Sequence, residues 1–154
     1  MSRLQKILLG VAIMGVVAHQ VFISERRGIR LSNPLNIENN GIAWKGLAAS
    51  QPDERFYNFK SPEWSFRAAY RIMQTYKNKY GLNTIAGIVT RWAPPHENQT
   101  RDYIANVSGW SGIGADEVIN TNEEYARIIG AMTRMENGVN PYNTYFILQA
   151  TRID

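Results

Sequence analysis

Thirteen acidic residues, two histidines and no cysteine set what chemistry this 154-residue chain can do. Without thiols there is neither a disulfide framework nor a thiolate metal site, so cysteine usage leaves the compartment open. Cleaving a sugar polymer requires a carboxylic acid in a cleft to protonate the leaving oxygen, helped by a second carboxylate or a positioned water. Glu25, Glu63, Glu97 and Glu136 stand at predicted element ends. Glu63 falls in the first turn of a helix, where the dipole accounts for it. Glu97 follows Pro94-Pro95-His96 in a rigid turn, and Glu136 stands beside Asn137-Gly138 at the negative end of a helix. A carboxylate there needs a further reason, either a hydrogen-bonded turn or function. The candidate catalytic residues are therefore Glu136 and Glu97, with Glu25 a third, less suitably placed.

Other chemistries find less. His19 and His96 have no third ligand nearby, so no metal is expected. "SGWSGIGAD" lacks the Lys-Ser/Thr and the preceding strand of a phosphate loop, and no cofactor is expected. Arg91 and Arg101 belong to no specific nucleic-acid motif. Trp64 and Trp92 follow the periodicity of helix cores, which leaves Trp44, in a predicted hairpin, and Trp110, in a glycine-rich loop, as candidate saccharide-binding rings.

The elements that must position these residues are read from caps, turns and periodicity. "SPEWSFRAAYRIMQTYKNKYG" has Ser61 to cap, Pro62 at the first helical position and Gly81 to stop, with Trp64, Ala68, Ile72, Tyr76 and Tyr80 recurring every four residues. "NTIAGIVTRWAPP" and "TRDYIANVSG" predict two short helices. Thr121 and Glu124 form a capping box for a helix that Asn137-Gly138 ends, and "NTYFILQATRI" predicts a last short one. Before them, Asn40-Gly41 between two apolar stretches predicts a β-hairpin, with "ERFYNF" as a third strand. The expected fold is α+β, with a small hairpin lobe followed by a mainly helical body over 27–154.

Residues 1–26 read differently. Ile7 to Ile23 contains no charge, and about 25 Å of helix reaches the lower limit for a bilayer span. A retained transmembrane helix, a cleaved secretory signal and a buried core helix are all open. The retained anchor places Arg3 and Lys6 at one set of headgroups and Arg26, Arg27 and Arg30 at the other. The formal net charge is +4, with a basic front half and an acidic stretch after Asp102, which fits contact with an anionic surface.

Taken together, "RGIRLSNPLNI", "AWKGL", "ERFYNFKSPEWSFRA", "YGLNTIAGIVTRWAPPHENQTRDYI" and "RMENGVNPY" resemble a family of virion proteins of bacteriophages and prophages, among them the membrane-containing corticoviruses. The resemblance implies a virion structural protein that meets capsid or other virion proteins and the internal lipid membrane. Its expected location is a single-pass position in the virion membrane, and the host membrane during assembly. A weaker resemblance runs from "NPLNI" through Trp44-Lys45-Gly46 to "SPEWSFRAAY" and is similar to lysozyme-like muralytic domains of the glucosaminidase type. It implies a peptidoglycan glycosidase or lytic transglycosylase, with peptidoglycan as a partner. Those domains keep their acid on a preceding helix, where this chain offers only Glu25.

Overall fold

The computed structural model describes residues 26–93 and 97–154, with side chains at 97 and 98 excepted. Among the described residues six helices follow in order: α1 (Arg27–Arg30), α2 (Pro62–Tyr80), α3 (Ile85–Trp92), α4 (Glu97–Ser111), α5 (Asn122–Asn137) and α6 (Thr144–Thr151). Their ends obey local chemistry. Thr84 Oγ1 accepts from Gly87 N, Asn143 Oδ1 accepts from Phe146 N, and Thr121 with Glu124 makes a reciprocal capping box. Gly81 and Gly138 close α2 and α5 in the left-handed conformation, at φ 68° and 72°.

Helix α5 is the centre of the body. Tyr125, Ala126, Ile128, Ile129, Ala131 and Met132 are all buried, so the helix packs on several sides and leaves a narrow face with Arg127 and Arg134 toward solvent. Helices α4, α6, α2 and α1 lie against it. On α2 the buried face centres on Phe66, Ala69 and Met73, with Ala68 of the expected four-residue line; Trp64, Ile72 and Tyr76 of that line are only partly buried, and Tyr80 is 43% exposed. The rings of Tyr142 and Phe146 close over Phe66, which explains the shift.

The α+β expectation is corrected. The described residues are mainly helical and contain no strand, only two isolated antiparallel bridges, Glu38 with Phe56 and Leu47 with Phe59. The stretches flanking Asn40-Gly41 do not pair with one another; each meets 54–59 instead. Asn39 and Asn40 turn their side-chain oxygens onto Gly41 N and Ile42 N, closing local turns where a hairpin ladder was expected. Elsewhere side chains replace ladder bonds. Asn33 donates to Ile37 O and Tyr57 O and accepts from Ile37 N, while Gln51 donates to Ala48 O and Asn58 O and accepts from Asn58 N. This polar lacing satisfies the backbone without a sheet.

The expected membrane helix lies outside the described residues. No helix of the described residues is long and apolar enough to cross a membrane, and the single-pass placement is corrected on that finding.

Candidate functional site

Glu136, in the last turn of α5, lines a cleft of about 720 Å³ together with Asn36, Trp44, Phe56, Tyr76 and Trp92. Its carboxylate is half-buried and both oxygens are engaged. Tyr103 Oη of α4 donates to Oε1 at 2.8 Å, and Asn36 Nδ2 donates to Oε2 at 3.0 Å. Asn36 reaches it from a left-handed backbone, φ 51°, a conformation that Asn adopts more readily than most residues. Burial, and then the charge of Glu136, push the Tyr103 phenol far above its ordinary range, so it remains a proton donor. The carboxylate that the helix dipole disfavours is thus explained by a three-element tie.

Chemically, the arrangement is an acceptor. A general acid must present its own proton to a leaving oxygen, whereas here two protein donors point at Glu136. A second carboxylate, Glu38, lines the cleft, but its Oε1 accepts from Arg55 at 2.7 Å in an exposed pair. Trp44 shares the cleft with Glu136 as a saccharide ring would, yet its indole N–H is buried and finds no acceptor among the described residues. Among the described residues no group of three His, Asp or Glu side chains is placed to hold a metal ion.

The other expected site residues are dispersed. Trp110 is 41% exposed on a separate groove, with the Arg134 guanidinium 4.2 Å from its ring centroid. Glu25, Arg3, Lys6, His19 and His96 lie outside the described residues, and so does the Glu97 side chain. Of the basic group, Arg27 is held by Asp53 through two bonds of 2.7 Å, with its guanidinium over Phe56. That pairing, with the Phe56 and Arg55 backbone N–H groups, holds the Asp53 carboxyl well below the usual range.

Tyr103 and Asn36 escape a reading of the sequence because their partner is remote, although "NPLNIENN" does mark a run of turn-forming residues. The arginines of the Trp110 groove carried a signal: Arg127 and Arg134 stand seven apart on α5, two turns on one face.

No family model matches the chain. It is 42% identical over 146 residues to Protein P5 of Pseudoalteromonas phage PM2, a match covering 92% of this chain and 91% of that protein. This relative bears out the resemblance to the bacteriophage virion family, whereas the lysozyme-like resemblance gains no support. At that identity and coverage, the chain belongs to the family of bacteriophage proteins that includes Protein P5 of phage PM2.

Proposed function

We propose that the chain is a structural protein of a bacteriophage virion, whose helical body packs against other virion components. The observation that carries this reading is the engagement of Glu136. The carboxylate best placed for catalysis joins the 31–37 segment, α4 and α5, and serves as an internal tie. Kinship with a phage protein supports the same conclusion. The peptidoglycan-hydrolase alternative would need a proton-bearing acid facing the cleft, and the geometry around Glu136 favours none. The finer element of the reading is contact with the virion's internal lipid, which would fall to Arg26 and Arg30 at the start of the body, since Arg27 is held by Asp53.

Purified virions of the phage encoding this chain, separated by electrophoresis and identified by mass spectrometry, are expected to contain it in many copies. Its absence from infectious particles would overturn the reading. A cell-wall zymogram of the full chain is expected to show no clearing. Clearing that disappears in a folded Glu136→Gln variant would establish the hydrolase instead. Co-sedimentation with anionic vesicles, lost in Arg26→Glu/Arg30→Glu, tests the lipid contact.

A further inference from the structure

The groove holding Trp110 has a composition unlike the Glu136 cleft. It measures about 600 Å³, and its lining includes Arg127 and Arg134 but no carboxylate. On α5 the face reads Arg127, then Gly130 and Ala131, then Arg134. Two arginines whose backbone positions are about 10 Å apart along the axis thus flank a floor of small residues. Arg127 donates through one Nη to Ser111 O, and its Nε is buried without a partner among the described residues. Arg134 is exposed apart from its contact with Trp110. Paired guanidiniums beside an indole suit carboxylates carried on a chain that also offers an apolar side chain.

This chain displays such a segment. Between α4 and α5, Asp116 and Glu117 are exposed, Val118 between the acids and α5 is 49% exposed, and Glu123 is exposed in the first turn of α5. Residues 115–119 are held away from the groove, because Ala86 N donates to Ala115 O and Ile119 N donates to Asn83 O, which fasten them to the start of α3 and the turn before it. In the first turn of α5, Glu124 feels the charge of Arg127. No residue of 112–124 lines the groove.

We propose that the Trp110 groove receives the acidic 116–123 segment of a second copy of this chain, with Arg127 and Arg134 meeting its carboxylates and Val118 lying against Trp110. Glu123 stands one turn before Arg127 on α5, so groove and segment adjoin, and two copies can exchange segments reciprocally about a two-fold axis. This goes beyond a virion location, since it follows from charge and shape within one chain.

Sedimentation velocity of the full chain over a concentration series, at about 50 mM and about 1 M NaCl, tests it. Wild type is expected to self-associate and to do so less at high salt. Arg134→Glu alone, and Asp116→Lys/Glu123→Lys alone, should each weaken association at least about tenfold. An equimolar mixture of the two should associate again, because reversed groove then meets reversed segment; that rescue also shows both variants are folded. A wild type that stays monomeric, association indifferent to Arg134→Glu, or a mixture that remains apart would overturn the proposal. So would quenching of Trp110 by a polyglutamate peptide in a chain that never self-associates, which would assign the groove to another protein's acidic segment.

Discussion

Tyr103 and Asn36 converge on Glu136 from positions 33 and 100 residues away in sequence, donating to its two oxygens at 2.8 and 3.0 Å. Removing either donor leaves a half-buried carboxylate oxygen unsatisfied. Tyr103→Phe is expected to cost about 1–3 kcal/mol in denaturant unfolding, the usual penalty for an orphaned polar group. Unchanged stability would mean that water replaces the phenol without loss and that the tie is not structural.

Gly46 and Gly28 are places where backbone meets side chain too closely for a Cβ. Gly46 has φ +80°, and a Cβ there would lie within the Trp64 indole. At Gly28 the added atom would fall 2.7 Å from Asn137 Oδ1 and 2.9 Å from Asn36 Oδ1. Both Gly→Ala variants are expected to lower stability by about 1–3 kcal/mol or more, Gly46→Ala by the larger amount because overpacking is joined by a strained φ. Thermal unfolding followed by circular dichroism reads this directly.

The Arg27–Asp53 pair gives the chain an acid limit. Arg27 depresses the Asp53 pKa in the folded state, so the stabilisation is fully present above the unfolded value near 4 and is lost as pH falls toward the folded one. Asp53→Asn should lower the melting temperature at neutral pH and narrow the gap to wild type as the pH drops below about 4. An equal difference at every pH would place the effect elsewhere.

Alkaline titration examines the opposite sign. Burial, and then Glu63, push the Tyr142 phenol up to about 12, and Tyr103 is raised further. Their neutral forms stabilise the fold below the ordinary phenol value near 10, and that contribution is lost as pH rises through the folded values. Ultraviolet absorbance should therefore show a tyrosine component that ionises well above the ordinary phenol value. Tyr142→Phe should remove a high-pH component from the curve, and a curve it leaves unaltered would count against the assignment.

Thr121→Ala breaks the capping box of the central helix by removing the acceptor for Glu124 N. A loss of about 1 kcal/mol is expected by chemical denaturation. The Asn120 and Thr121 backbone N–H groups also hold the Glu124 carboxyl below its usual range.

By itself the sequence determined α2, α3, α5 and α6, because their signals lie within a few residues of where they act, whereas α1 carried no such signal and α4 runs on through Trp110, which was expected in a loop. Pro62, Gly81, Thr84, the Thr121–Glu124 box, Asn143 and Gly138 stand at the ends the structure gives to α2, α3, α5 and α6. The family kinship was legible from residue blocks as well. Tertiary structure decided what depends on remote partners. The aromatic 54–59 stretch meets both flanks of Asn40-Gly41 and makes bridges rather than a sheet, because Asn and Gln side chains take the backbone groups a ladder would use. It put Trp44 in the cleft that Glu136 lines and Trp110 beside Arg134, and it bound both oxygens of Glu136 to donors. A helix end is set by neighbours one turn away, whereas the partners of a side chain are set by which surfaces the whole core brings into contact.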